Sequence, residues 1–417
     1  MEANVETTTG GSGELDPGLD RGAGNDVPSH DRSGTSTAIR RLGERIWNVE
    51  KVLAAPVIGP WRHIQARRRA VAARPVPPKP STHSILQSWG EVPVAADEAA
   101  LDPLRRAFGA SIVETRRSVD AVIECRHLGD AVELIVEGCT YLLDENAVVE
   151  QILPWLTHRT LTAEPGWPHL HAATVLTQDG AVLVTGPSGS GKSTFGLALD
   201  RFGGIVNDEV VAVTGHRVIA SPRPVSMRRP GLLSLRSLHP PTATVPVDAT
   251  PLLFVVLDRV DEDDEQQRVI EITPLRPAQS VMACLENSFD VTTDPTGCLF
   301  AFASFANHVP ALAIRYGDSR EAAAALMEAT APAPVGGEPL RVPPSLPGPH
   351  PHRPADVVSV VVAEEAVLYR LTDRSIAHLN PSATQVWRNL DGTKRPEETD
   401  LGLIEDLTKL GFVAGEA

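Results

Sequence analysis

Lysine is scarce in this chain. Five of the 38 basic residues are Lys (Lys51, Lys79, Lys192, Lys394 and Lys409), and the rest are Arg. A Lys set in a special loop is therefore informative. Aromatic residues make up 4% of the total, too few for the stacked platforms that bind single-stranded nucleic acid. The four cysteines, Cys125, Cys139, Cys284 and Cys298, form no CxxC pair and no zinc spacing, and read as reduced core thiols. No apolar run reaches the roughly 18 residues that a membrane span needs. No basic segment followed by an apolar one opens the chain, so no signal peptide is expected. Positive charge is also short: 53 acids against 38 bases leave −15. That argues against a general binder of nucleic acid or of anionic membranes, both of which call for a positive surface. These absences imply a cytoplasmic protein with no nucleic-acid partner and no stable membrane insertion.

The 417 residues are 42% apolar, which suits two or three folded domains. Residues 1–35 are rich in Gly, Ser, Thr and Asp with almost no large apolar side chain, and are expected to form a disordered tail. Residues 36–82 carry basic amphipathic helices and a Pro-rich run; Ile39, Leu42, Ile46, Val49 and Val52 recur at helical steps. Residues 83–328 alternate strand and helix signals, the mark of an α/β domain. Within them, Ala131–Leu143 reads as one strand and Val148–Leu156 as a helix. Residues 329–355 are Pro-rich and read as a semi-rigid linker. Residues 356–417 resume folded character as a small α+β module.

The strongest motif lies inside the α/β domain. Ala181–Thr185 is a short apolar run, read as a buried strand. Gly186-Pro187-Ser188-Gly189-Ser190-Gly191-Lys192-Ser193-Thr194 follows, and then a helical stretch to about Arg201. This is G-x-x-x-x-G-K-S between a strand and a helix, the context a phosphate loop requires. Glycines let backbone N–H groups turn inward around phosphate oxygens, and the helix N-terminus adds partial positive charge. Residues 186–194 are therefore assigned to ATP. Lys192 reaches the terminal phosphates, and the Ser193 hydroxyl belongs to the Mg²⁺ shell. Sixteen residues after Lys192 stands the pair Asp208-Glu209, and fifteen before Gly186 stands His171.

This arrangement resembles the HPr kinase/phosphorylase family and its related proteins. The likeness rests on His171 ahead of the loop, on the loop with Ser193, and on the Asp208-Glu209 pair. Ser221-Pro222-Arg223-Pro224-Val225-Ser226-Met227 looks like the Pro-Arg-Pro element of the related group. The resemblance implies an HPr-kinase-like fold, with Asp208 as general base, Glu209 with Ser193 at Mg²⁺, and His171 and Lys192 at the transferring phosphoryl group.

The last module shows three short strands, Val357–Ala363, Val367–Leu371 and Ser375–Leu379. Leu379-Asn380-Pro381-Ser382-Ala383 then opens a helix, with Asn380 as cap and Pro381 in the first turn. Leu403, Ile404, Leu407 and Leu410 mark a final amphipathic helix. The phrase from Leu379 to Gly392 resembles the PqqD-like family, small winged-helix-like domains that recognise ribosomally made peptides. The resemblance implies a leader peptide added as a strand along Ser375–Leu379, with Leu403–Leu410 as the groove wall. The whole sequence thus reads as an ATP- and Mg²⁺-dependent kinase of a Ser/Thr hydroxyl in a leader-bearing precursor peptide. Two alternatives stand beside it: a kinase of a small molecule or carrier protein, and a non-catalytic ATP-binding peptide scaffold. A homo-oligomer is compatible with each.

Overall fold

The computed structural model describes residues 5–8, 81–115, 119–163, 166–229, 232–260 and 270–415. The basic helices and Pro-rich run read over 36–82, save residues 81 and 82, and most of the tail read over 1–35 lie outside the described residues. The chain divides into two compact units, one formed by the described residues of 81–340 and the other by 341–415 together with residues 5–8. Strand β1 (Val5–Thr8) is the first described element and belongs to the latter unit.

The larger unit opens with β2 (His83–Gln87), β3 (Gly90–Ala96), helix α1 (Glu98–Phe108), β4 (Ile112–Glu114), β5 (Ile123–Leu128), β6 (Ala131–Val136), β7 (Cys139–Leu143) and helix α2 (Glu145–Ala163). Its six strands run β4-β2-β3-β5-β6-β7. Leu101, Leu104 and Phe108 of α1 and Val148, Ile152 and Leu156 of α2 share one core with the sheet. Both sets recur at three- and four-residue steps, as a helix face laid on a sheet demands. Asp97 starts α1 by accepting the Ala100 N–H at 2.8 Å. The stretch read as one strand over 131–143 is two. Glu137 and Gly138 take φ of 47° and 78°, a left-handed turn that folds β7 back on β6.

Next come β8 (His169–His171), β9 (Ala173–Leu176), β10 (Ala181–Thr185), helix α3 (Lys192–Leu199), β11 (Gly204–Asn207), β12 (Val210–Val213) and β13 (Val218–Ala220). They are followed by the hairpin β14 (Val225–Arg229) and β15 (Leu232–His239), then β16 (Val247–Ala249), β17 (Pro251–Arg259) and β18 (Ile270–Pro274). Helices α4 (Pro277–Glu286) and α5 (Pro295–His308), β19 (Ala311–Tyr316) and α6 (Ser319–Glu328) complete the unit. A six-stranded sheet runs β11-β9-β10-β17-β19-β18, and a four-stranded one β16-β13-β12-β8. β10, β17 and β19 are parallel neighbours at the centre of the first. Every residue of β10 is buried, so its Ala-Val-Leu-Val sequence is continuously apolar rather than alternating.

The C-terminal unit holds β20 (Leu340–Val342), β21 (Val357–Val362), β22 (Glu365–Arg370), β23 (Ile376–Leu379), α7 (Pro381–Asn389) and α8 (Leu401–Lys409). Leu368, Ala377, Leu379, Trp387, Ile404 and Leu407 form its core. Asn380 caps α7 as its sequence required, accepting the Ala383 N–H at 2.9 Å. A 3-10 turn, Glu398–Asp400, leads directly into α8. The stretch read as a linker over 329–355 is in part folded. β20 borders β21, and the buried Arg353 guanidinium donates to the carbonyls of Pro343, Trp387 and Arg388 at 2.9–3.1 Å. Proline density alone misses this, because prolines also suit the flanks of an edge strand, where no ladder N–H is called for.

Candidate functional site

β10 delivers the phosphate loop and α3 receives it. Gly186 has φ of 149°, and a Cβ there would lie 2.8 Å from Ser190 Oγ and 2.9 Å from the Leu257 carbonyl. Gly191, at φ 86°, leaves no room either, since its Cβ would meet Tyr316 Oη at 2.5 Å. That hydroxyl donates to the Ser190 carbonyl at 2.8 Å, and the Tyr316 ring packs edge-on against Phe195 of α3. The loop is thus held from β19 as well as by its own glycines. Lys192 is buried and lies along the loop, donating to the Gly186 carbonyl at 2.7 Å and the Pro187 carbonyl at 3.3 Å. Burial lowers its pKa to about 8, against the opposing pull of Asp208.

Pairing of β8 with β12 sets His171 opposite Val210, directly beside the Asp208-Glu209 pair. Thr185, the last residue of β10, donates its hydroxyl to the His171 carbonyl at 3.0 Å, which ties this strand end to the loop. Ser193 Oγ donates to Asp208 Oδ2. Burial raises the Asp208 carboxyl to about 6, while the Ser193 hydroxyl and the Ser226 backbone N–H hold it down and Glu209 pushes it up. His171 is lowered to about 3, first by burial and then by the charge of Lys192. At neutral pH it is therefore a neutral imidazole, packed 5.8 Å from the Phe289 ring. Lys192, Ser193, Asp208 and His171 form one coupled group. Glu209 stands at its margin, 40% exposed, with Arg223 at 3.9 Å.

Several residues of the site carry no motif of their own. Arg223 is 2% exposed. Its guanidinium donates to Thr157 Oγ1 and the Leu156 carbonyl of α2, both at 2.9 Å, and to Thr160 Oγ1 at 2.5 Å. It therefore fastens the first sheet's helix to the carboxylate pair. The Pro-Arg-Pro spelling marked the segment but not this reach. Ser226, three residues on, supplies an N–H to Asp208. Glu286, at the end of α4, precedes Asn287, whose carbonyl accepts the His171 N–H at 2.8 Å. Burial pushes the Glu286 carboxyl up to about 7. Nothing in the sequence signals it, because its place depends on the bridge between Leu170 and Ser288. His169, two residues from His171, has a structural part: it is 1% exposed, and its Nδ1 lies 2.9 Å from Asp290 Oδ2.

The residues present fit a magnesium nucleotide. Gly189 has φ of 88° with open space where a Cβ would stand, the kind of bare backbone that phosphate oxygens approach. Beside the loop, Gly191, Thr194, Arg259, Tyr316, Gly317 and Ser319 line a small pocket. Among the described residues no group of three His, Cys, Asp or Glu side chains is gathered for a metal ion. Mg²⁺ usually takes one or two protein oxygens plus the substrate's phosphates, a shell to which Ser193 and Glu209 can contribute.

No protein-family model and no curated protein matches the chain. Among solved structures, it is similar to the Hpr(Ser) kinase/phosphatase from Coxiella burnetii at 16% identity, over 38% of this chain and 91% of that one, with a TM-score of 0.19. At that TM-score the likeness carries no weight for the chemistry, which stands on the residues of the site. Among the described residues no helix is long and apolar enough to cross a membrane.

Proposed function

We propose that this protein is an ATP-dependent kinase that phosphorylates a Ser or Thr hydroxyl of a ribosomally made precursor peptide. The observation that carries the kinase reading is the hydrogen bond from Ser193 to Asp208 beside Lys192. It unites the phosphate loop with a carboxylate of suitable basicity. Bound Mg²⁺–ATP would supply the phosphoryl group and the neutralising charge, held by the loop N–H groups, Lys192, Ser193 and Glu209. Asp208, with its carboxyl raised to about 6, accepts the proton of the acceptor hydroxyl. A base with a pKa just below the working pH combines a high ionised fraction with useful basicity. Neutral His171 orients that hydroxyl or Asp208 without adding a competing positive charge. Lys192 balances negative charge on the transferring group.

The peptide reading draws support from the C-terminal unit. Within residues 341–415 its sheet runs β20-β21-β22-β23, and the outer edge of β23 takes an extended strand, as the pairing with β1 illustrates. Strand addition offers backbone affinity, and neighbouring side chains offer specificity. A peptide held by one unit of a chain is also at high local concentration for the other. The test is incubation of the full chain with γ-labelled ATP, Mg²⁺ and Ser/Thr-containing precursor peptides drawn from the genes flanking its own. Label on a Ser or Thr of the peptide is expected. Label on a small molecule or carrier protein would replace the substrate assignment, and ATP binding without turnover would overturn the kinase.

A further inference from the structure

Four residues, Val5–Thr8, complete the sheet of the C-terminal unit. β1 lies antiparallel to β23, with Val5 opposite Leu379, Glu6 opposite His378, Thr7 opposite Ala377 and Thr8 opposite Ile376. The sheet order is β1-β23-β22-β21-β20, so without β1 the last strand would be β23. An edge strand presents a row of N–H and C=O groups to any extended chain that arrives. Here that row is taken by a distant segment of the same polypeptide, on the edge where a partner peptide would add.

We propose that Val5–Thr8 is a built-in occupant of the peptide-docking edge of β23, which an incoming extended peptide must displace. The inference rests on the reading of β23 as a docking edge and adds an internal competitor to it. The sequence of the occupant suits the part. Val5, Thr7 and Thr8 are β-branched and favour an extended backbone. Yet Val5 is the one aliphatic residue among the four, so the segment brings little apolar surface to hold it down. Four residues also form a strand shorter than most. Its advantage is covalent attachment, which makes docking intramolecular and can be worth an effective concentration near the millimolar range. A separate peptide with more paired residues and apolar anchors overcomes that advantage. One without them does not, so the occupant sets a threshold that weak, unspecific strands fail to pass. The apparent affinity of every external peptide is lowered by the fraction of chains whose edge is open.

The register supplies a clean way to break the contact. Along an antiparallel strand, alternate residues direct their N–H and C=O toward the partner. One of Glu6 and Thr7 must therefore donate to β23, and the pair Glu6→Pro/Thr7→Pro removes that donor whichever it is. Hydrogen exchange of the full chain, followed by mass spectrometry, reads the edge directly. The alternate amides of Ile376–Leu379 that face β1 rather than β22 should exchange about tenfold faster in the double variant than in the wild type. Adding a synthetic peptide of the chain's own residues 1–13 to the double variant should slow them again, and the same peptide with both prolines should not. Unchanged exchange in the double variant would overturn the masking and leave the docking edge standing. Faster exchange that the added peptide fails to slow would overturn the competition, and with it the reading of β23 as a docking edge.

Discussion

At the scale of single residues, burial sets the chemistry of the site. Lys192 touches two loop carbonyls through Nζ. Lys192→Ala should lower kcat/KM for ATP by about a hundredfold or more while the far-ultraviolet circular dichroism stays unchanged. Asp208→Asn keeps an acceptor for the Ser193 hydroxyl but cannot take a proton. It should lower phosphoryl transfer by roughly 10²- to 10⁴-fold with ATP binding retained, as measured by single-turnover kinetics and calorimetry. In the wild type, transfer should fall as pH drops through about 6, where Asp208 takes up its proton. Glu286 gives a stability signature instead. Its folded-state pKa of about 7 lies above its ordinary 4.5, so the folded state binds the proton more tightly. Its contribution is greatest below pH 4.5 and is lost as pH rises through 7. Glu286→Gln should therefore melt higher than wild type at pH 8, and the gap should close by pH 5.

At the scale of elements, the phosphate loop is shaped by contacts from two strands as well as by its glycines. Gly191→Ala faces a left-handed φ of 86° and a Cβ 2.5 Å from Tyr316 Oη. Nucleotide affinity should drop about tenfold or more, because bulk and backbone strain both displace the loop. Adding Tyr316→Phe removes the opposing oxygen and should restore part of the affinity, leaving the backbone strain. Titration with a fluorescent ATP analogue checks both. Helix α7 starts on a side-chain cap, with Ala383 and Thr384 of its first turn buried. Asn380→Ala removes the acceptor for the Ala383 N–H and should destabilise the C-terminal unit by about 0.5–2 kcal/mol in denaturant unfolding.

At the scale of the whole molecule, the chain forms two units, and the end of the larger one is tied down by particular bonds. Asn307, 3% exposed, donates its side-chain N–H to the Gly337 carbonyl at 3.0 Å, and its own carbonyl accepts the Gly336 N–H at 2.8 Å. A chain cut after Ala331 would leave these groups of Asn307 unpaired, whereas one cut after Glu338 keeps both bonds. The longer truncation should fold and bind Mg²⁺–ATP with the affinity of the full chain, measured by calorimetry. It should lose tight binding of the precursor peptide, because β23 and α8 are gone. Truncation after Ala331 should melt several degrees lower than truncation after Glu338, since an unpaired buried amide costs roughly 1–3 kcal/mol.

The sequence by itself determined what depends on local spacing. The glycines and Lys192 between an apolar strand and a helix describe a phosphate loop without further context, because its backbone geometry is a property of consecutive residues. Asn380-Pro381 likewise starts α7, since cap and first turn are adjacent in the chain. The α/β class and three C-terminal strands follow from hydrophobic periodicity. Tertiary structure decided whatever joins distant residues. The reach of Arg223 to α2, the hydrogen bond from the His171 N–H to the Asn287 carbonyl and the support of the loop by Tyr316 each join residues that no periodicity relates. β20 emerged from a Pro-rich stretch because a neighbouring strand was there to pair with it. The docking of Val5–Thr8 on β23 is the extreme case. Strand pairing is written in backbone N–H and C=O groups that every sequence carries, so only the fold could say which edge stood open to receive it.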